Sequence, residues 1–225
     1  LGQEERAVDY YEQALVIAQE IGDRRGEGAD LGNLGNAYAD LGQVKRAIEF
    51  YEQALVIAKE IGDRRGEGNR LGNLGRAYAD LGQEERAVDY YEQALVIAKE
   101  IGDRRGEGNQ LGNLGRAYAD LGQEERAVDY YEQALVIAKE IGDRRGEGTW
   151  LNNLGVVFAD MENYDLALAC FLSARTIRRE ILDPNIETTE NNINVLKTKL
   201  GKRNFQTLLD TVESNAEAII QQLLT

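Results

Sequence analysis

The amino-acid sequence predicts an all-α solenoid built from antiparallel helix pairs, and three observations point to it. The stretch 63–102 recurs at 103–142 with one difference in forty positions, Arg70 against Gln110. Each period holds two runs of apolar residues at helical spacing. The chain of 225 residues contains a single Pro and many strong helix formers. Repeats of this kind bury their apolar faces against their neighbours, so we expect a linear stack rather than one central core.

The period divides the chain into consecutive repeats. Residues 1–22 match the second half of a repeat, and we expect them to form a second helix without its preceding helix. Four full repeats and a divergent capping helix pair follow, at 23–62, 63–102, 103–142, 143–182 and 183–225. The uncovered first helix suggests a fragment of a longer array with a sticky end, because terminal repeats of solenoids normally carry a polar outer face.

Within a repeat, each helix is predicted from apolar residues three or four positions apart. In the repeat 63–102 the first helix is indicated by Leu71, Leu74, Gly75, Tyr78 and Leu81. The second helix is indicated by Ala87, Tyr91, Ala94, Ala98 and Ile101. A short Leu-Gly connection separates the two patterns, and so short a link makes the two helices antiparallel.

Successive repeats are joined by the heptapeptide GDRRGEG, which begins at Gly62 in the second copy. Gly62 fits the residue after a helix end, where a positive φ is required, and Asp63 fits the N-cap of the next helix. This predicts a two-residue link with Arg64 already helical. A flexible loop is the alternative, because Gly66 and Gly68 each destabilise a helix by roughly 1 kcal/mol relative to Ala.

The last part of the chain departs from the pattern. The repeat 143–182 keeps the spacing with different residues, as expected for a repeat that meets a different neighbour. Asp183-Pro184 is a strong helix start, with Asp as the N-cap and Pro in the first helical position. We expect this helix to end at Gly201 and a last helix to begin at about Asn204.

Composition argues against several classes of function. The formal net charge is −14, whereas nucleic-acid binding needs a basic face that displaces counterions from phosphates. The chain has no His and a single cysteine, Cys170, so we expect no metal site, no cofactor and no catalysis. Neither a long apolar run nor a signal peptide is present, which predicts a cytoplasmic protein that does not enter a membrane.

Seven positions in each repeat reproduce the spacing of a known repeat family. In the repeat 23–62 they are Leu31, Leu34, Gly35, Tyr38, Ala47, Tyr51 and Ala54. The chain therefore resembles the tetratricopeptide repeat (TPR) family, which implies a right-handed superhelix whose first helices line a concave groove. The family's usual period is about 34 residues. Its proline near the end of the second helix is replaced here by Lys59, Lys99 and Lys139, which is consistent with longer helices.

Two further details refine the resemblance. The repeats are most similar to the forty-residue repeats of the Leu-Gly-Asn (LGN/Pins) protein of spindle orientation and of bacterial NB-ARC and related signalling ATPases. Chaperone cofactors of the TPR family use a two-carboxylate clamp that needs Lys where this chain has Gly32, Gly72 and Gly112. Ligands of that clamp are therefore not expected here.

The resemblance implies that polar residues of the first helices hold an extended or helical peptide. Transferred position by position, the candidate groove residues are Asn33, Asn36, Asp40, Asn69, Asn73, Arg76, Asp80, Asn109, Asn113, Arg116, Asp120, Asn152 and Asn153. Asn amides both donate and accept hydrogen bonds, and Arg76 and Arg116 are forked donors suited to a carboxylate. The alternative is that Asn73 and Asn113 bond the backbone of a neighbouring helix and that Arg76 pairs with Asp80.

Two functions remain open at this point. The leading hypothesis is a non-catalytic protein-interaction scaffold that binds a peptide or helix of a partner, as the sensing or docking part of a larger signalling protein. The alternative is a structural spacer or a rod, natural or engineered, that assembles head to tail through its uncapped N-terminal helix. Near-identical repeats that have not diversified for one ligand favour this second hypothesis.

Overall fold

A computed structural model describes residues 2–213 and 215–223 of the chain. Leu1, which opens the predicted half repeat, lies outside the described residues. Twelve α-helices account for the regular structure of the described part, which contains no strand. Their bounds are α1 Gln3–Ile21, α2 Arg24–Asp40, α3 Val44–Glu60, α4 Arg64–Ala79, α5 Glu84–Glu100, α6 Arg104–Asp120, α7 Glu124–Glu140, α8 Arg144–Asp160, α9 Tyr164–Glu180, α10 Ile186–Leu200, α11 Lys202–Val212 and α12 Ala216–Leu223.

The chain forms two compact halves, an N-terminal half of residues 1–106 and a C-terminal half of residues 107–225. In the N-terminal half each of the helices α1 to α4 packs against the next one along the chain. In the C-terminal half α8 packs against α7 and α9, and α10, α11 and α12 all pack against α9. The predicted all-α fold of consecutively packed helix pairs is therefore confirmed. We call α2, α4, α6 and α8 the A helices, and α3, α5, α7 and α9 the B helices.

A glycine on each A helix sets the distance to the B helix of the same repeat. A Cβ atom added to Gly35 would lie 2.4 Å from the ring of Tyr51, which is only 1% exposed. The same close approach occurs at Gly75 with Tyr91 and at Gly155 with Phe171, where the added Cβ would lie 2.6 Å from the ring. Interiors are packed too densely to accept such an overlap without strain. The tyrosine or phenylalanine ring therefore occupies the space that a side chain would need.

The link between repeats has the predicted geometry. Gly62 has a φ of +69°, and the side chain of Asp63 accepts a hydrogen bond of 2.9 Å from the backbone N–H of Gly66. The helix α4 begins at Arg64, and the other three copies of the heptapeptide are capped in the same way. The flexible-loop alternative is wrong, because the Asp cap and the left-handed glycine fix both helix ends.

Arginines at the start of the A helices form ion pairs that the sequence did not reveal. Arg144 binds Glu147 in its own helix and Glu180 at the end of the B helix of the same repeat, both at 2.6 Å. Arg24 and Arg64 bind the equivalent glutamates, Glu27 with Glu60 and Glu67 with Glu100. Each of these arginines therefore connects the start of an A helix to the end of the B helix of the same repeat.

The C-terminal region differs from the prediction in two places. The helix α10 begins at Ile186, two residues later than expected, because Asp183 accepts a hydrogen bond of 2.9 Å from the backbone of Asn185 and holds a turn. The expected last helix is interrupted between Val212 and Ala216, which gives three helices in place of a pair. At the end of this break the side-chain amide of Asn215 donates to the carbonyl of Thr211 at 3.4 Å.

Among the described residues, no helix is both long enough and apolar enough to cross a bilayer.

Removing one Asp cap tests how the link is held. We expect Asp63→Ala to lower the free energy of unfolding by about 1 kcal/mol, because the N–H of Gly66 loses its acceptor. Asp63→Asn keeps a side-chain oxygen in the same place, so its loss should stay below about 0.5 kcal/mol. Urea denaturation followed by circular dichroism measures both values. Equal stability of Asp63→Ala and wild type would show that this cap does not stabilise the link.

Candidate functional site

The hydroxyl of Tyr51 is the centre of a polar cluster on the A helices of the N-terminal half. The ring of Tyr51 lies over Gly35, and its hydroxyl donates to Oδ1 of Asn36 at 2.8 Å. The same oxygen accepts a hydrogen bond of 3.2 Å from the amide of Asn73 on the next A helix. The asparagines thus connect neighbouring A helices, as the second interpretation of the sequence proposed for Asn73. The acceptor, however, is a side chain rather than the backbone.

Two arginines of α4 lie close to this hydroxyl. Burial raises the pKa of Tyr51, and the positive charges of Arg76 and Arg70 both oppose that shift. Arg70 lies across Gly32 of the preceding A helix, where a Cβ atom would be only 2.0 Å from Cζ of the guanidinium. Burial in this position lowers the pKa of Arg70. Two cations and two amides of adjacent A helices therefore lie near the hydroxyl of Tyr51, which belongs to a B helix.

The C-terminal half has a related cluster with a different side chain across the glycine. Trp150 lies over Gly112, where an added Cβ would be 2.2 Å from the indole ring. The centroids of the Trp150 and Tyr131 rings are 6.2 Å apart, and Asn153 opposes the rise that burial causes in the pKa of Tyr131. This cluster is aromatic where the cluster of the N-terminal half is cationic.

The predicted groove residues differ widely in exposure. Seven are exposed, namely Asp40, Asn69, Arg76, Asp80, Asn109, Arg116 and Asp120. Five are half-buried, namely Asn33, Asn36, Asn73, Asn113 and Asn153. Arg116 lies 3.7 Å from Asp120 (Nε to Oδ2), and the amide of Asn113 is 3.4 Å from the side-chain oxygen of Gln110.

Asn152 is the exception, and its prediction as a groove residue is wrong. It is 5% exposed, and its Oδ1 accepts hydrogen bonds from Thr189 at 3.0 Å and from Asn192 at 3.1 Å. The other repeats have glycine at this position, whereas the fourth repeat has a side chain that α10 covers. A partner has no access to it, because both lone pairs of its oxygen are used within the fold.

Arg70 and Trp150 lie among the candidate site residues, and the sequence interpretation missed them. Both occupy one position of the repeat, immediately before the first motif leucine, which we call the variable position; its occupants in the four repeats are Asp30, Arg70, Gln110 and Trp150. The signal was present, because Arg70 and Gln110 are the one difference between the repeats 63–102 and 103–142. The sequence alone did not show where this side chain lies, because it contacts the preceding repeat rather than its own.

Other parts of the described chain have fewer groups that are suited to catalysis or to ligand binding. Among the described residues, no three His, Cys, Asp or Glu side chains are grouped in a way that could hold a metal ion. Cys170 is fully buried, and burial raises the pKa of its thiol, which makes it a poor nucleophile. A cavity of about 520 Å³ in the C-terminal half is lined by Arg144, Glu147 and Glu180, which already form ion pairs with one another.

The sequence and the fold were then compared with known proteins. The family model described as tetratricopeptide repeat matches residues 1–60, 30–100, 68–140 and 108–180. The chain belongs to the tetratricopeptide repeat family. A search of curated proteins found no match to the sequence.

Structural similarity supports the same fold. BtubC (BKLC) from P. vanneervenii superposes with a TM-score of 0.79 at 22% identity, over 99% of this chain and 93% of that one. Nearly identical TPR-like repeats from Podosopora anserina give a TM-score of 0.66 at 24% identity, over 81% and 90%. A Rap protein complexed with Competence and Sporulation Factor gives 0.70 at 16%, over 96% and 68%. These similarities confirm the predicted α-solenoid class.

The buried tyrosines predict a stability that depends on pH. Burial raises the pKa of Tyr131 in the folded protein, so folding favours its neutral form. This contribution is complete below the unfolded pKa of about 10 and is lost as pH rises above it, by at most about 1.4 kcal/mol per pH unit. We therefore expect Tyr131→Phe to flatten the fall in unfolding free energy between pH 9 and pH 11.

Urea denaturation across this pH range measures the slope for each protein. The matched control is Tyr10→Phe, because Tyr10 is 64% exposed. Parallel slopes for wild type and Tyr131→Phe would contradict the prediction.

Proposed function

We propose that this chain is a non-catalytic protein-interaction scaffold that binds a peptide or helix of a partner along the polar residues of its A helices. The observation that carries this proposal is the ladder of Asn, Arg and Asp residues that returns every forty positions. Hydrogen-bonding capacity remains on this ladder, since an Asn amide has two donors and Asn73 uses one of them in its bond to Asn36. Backbone amides of an extended peptide are suitable partners for the remaining groups.

Similar proteins support this proposal. The Rap protein of the same fold was crystallised with Competence and Sporulation Factor, so a helical stack of this kind can hold a partner molecule. The net charge of −14 is compatible with a protein or peptide partner and unfavourable for nucleic acid. The finer part of the proposal is that these forty-residue repeats belong to the LGN/Pins and NB-ARC type. They would then act in the cytoplasm as the sensing or docking part of a signalling protein.

A peptide-selection experiment tests this function. Peptides selected from a random library displayed on phage are synthesised and titrated against the protein by calorimetry. We expect Arg76→Ala and Arg116→Ala, singly or together, to weaken binding about tenfold, because hydrogen bonds to charged groups contribute at that level. The control removes exposed charge elsewhere, with Arg65→Ala and Lys99→Ala. Unchanged affinity in the Arg76 and Arg116 variants would remove the A helices from the binding surface.

A self-assembling rod is the second candidate, and the surface of α1 favours it. Ile17 is 57% exposed and Tyr10 is 64% exposed. The equivalent Ile57 and Ile97 are each 4% exposed, because they pack against Gly28 and Gly68 of an A helix. The apolar face of α1 could bind a second copy of the chain.

Sedimentation velocity at increasing concentration tests this assembly. We expect oligomers that Ile17→Glu abolishes and that Val96→Glu, an exposed change on a B helix, leaves intact. A monomer at all concentrations would exclude the rod.

A further inference from the structure

A cavity of about 520 Å³ lies in the C-terminal half, where α12 packs against α9. We call it the C-terminal cavity. Its walls are formed by the end of α7, by α8 and α9, and by Glu213, Ala216 and Ile220 near and within α12. Protein interiors leave few voids larger than a water molecule, and sites for small molecules have volumes of about 300–1,000 Å³. The C-terminal cavity therefore has the size of a small-molecule site.

The side of α9 that lines the C-terminal cavity differs chemically from the other B helices. Leu172 stands where the third repeat has Glu132, and Arg175 stands where it has Leu135. The first two repeats also have glutamate and leucine at these positions. Leu135 is completely buried, whereas Arg175 is a half-buried guanidinium. An apolar and a charged residue have thus exchanged places, which gives the cavity an apolar wall with a cation beside it.

Three charged side chains at the C-terminal cavity have no ion-pair or hydrogen-bond partner in the described part of the chain. These are Lys139, Arg175 and Glu213. Lys139 is half-buried, whereas the equivalent Lys59 and Lys99 of the earlier repeats are exposed. Charged groups that are partly removed from water gain from an oppositely charged hydrogen-bond partner. The cavity therefore holds two cations and one carboxylate that can still bind a ligand.

The charges around the C-terminal cavity balance one another, and this restricts the ligand. Arg144 is already bound to Glu147 and Glu180, at 2.6 Å each. Together with the three unpaired groups, the lining contains three basic and three acidic side chains. A simple anion would bind the cations but would be repelled by Glu213, and a simple cation would meet the reverse problem. A molecule with both a carboxylate and an ammonium group satisfies both kinds of side chain.

We propose that the C-terminal cavity binds a small zwitterion with an apolar body, of the class of dipeptides with apolar side chains. The carboxylate of the ligand binds Arg175 and Lys139, its ammonium group binds Glu213, and its side chains pack against Leu172 and Ile220. None of the candidate groove residues lines this cavity. The site is therefore additional to the proposed binding of a partner along the A helices.

Calorimetric titration of the full chain with dipeptides tests this site. The probes are the dipeptides built from Val, Leu and Phe, and the tightest binder among them is then made in two blocked forms. Acetylation of its N-terminus removes the ammonium group, and amidation of its C-terminus removes the carboxylate. We expect each blocked form to bind about tenfold more weakly than the free dipeptide, because hydrogen bonds to charged groups contribute at that level.

Two variants connect each charge of the dipeptide to one side chain. Arg175→Leu introduces the residue that the other B helices have at this position, so the substitution suits the fold. It should weaken the free dipeptide about tenfold and leave the affinity of the amidated form unchanged. Glu213→Gln should weaken the free dipeptide similarly and leave the acetylated form unchanged. The matched control is Lys99→Leu, which removes the lysine equivalent to Lys139 from the second repeat and should keep full affinity.

The outcomes separate this site from the proposed function. If no dipeptide of the panel binds, the site is overturned, while the binding of longer peptides along the A helices is unaffected. An acetylated form that binds as tightly as the free dipeptide, and more tightly to Glu213→Gln, would indicate a simple anion site and overturn the zwitterion. Dipeptide binding that survives Arg175→Leu and is lost in Arg76→Ala would place the ligand on the A helices and overturn the cavity site. Circular dichroism and urea denaturation check that every variant is folded.

Discussion

The contact between a glycine of the A helix and an aromatic ring of the B helix determines much of this structure. At Gly35 and Gly75 the ring of a tyrosine fills the space of the missing Cβ, so the two helices approach closely at one fixed point. This contact sets the register of the helix pair, because sliding by one residue would place a Cβ against the ring. It also brings the hydroxyl of Tyr51 to the edge of the A helix, where it meets Asn36. A packing constraint thus positions a polar group.

A second glycine works in the same way between consecutive A helices. Arg70 and Trp150 each lie across such a glycine, and the neighbouring side chains provide the rest of their surroundings. The fourth repeat shows what happens when the glycine is replaced. Asn152 fills the space itself and accepts hydrogen bonds from α10, so the surface closes where the stack changes its neighbour. At this position a glycine leaves room for a side chain of the next repeat, whereas Asn152 fills the same room with its own buried side chain.

The sequence was sufficient to predict most of the backbone. Helical spacing located both helices of each repeat, and Gly62 with Asp63 predicted the link, because caps depend on residues near in sequence. The delayed start of α10 was missed, because it depends on the side chain of Asp183, which bonds the backbone of Asn185 in place of a helical turn. The break between Val212 and Ala216 was missed as well. The site was harder to predict. Position on a helix face identified Arg76 as exposed, but the direction of Arg70 depends on a glycine thirty-eight residues earlier.

The division between constant and variable residues separates the packing of each helix pair from the surface that its A helix presents. The residues that pack A against B recur from repeat to repeat, and at Arg70 and Trp150 the variable position lies across a glycine of the preceding repeat. Arg70 creates a cationic surface and Trp150 an aromatic one on otherwise equivalent scaffolds. Neither residue contributes a motif contact between its own A and B helices. A substitution at the variable position therefore alters the chemistry beside the preceding A helix, while the contact between glycine and ring within each repeat stays the same.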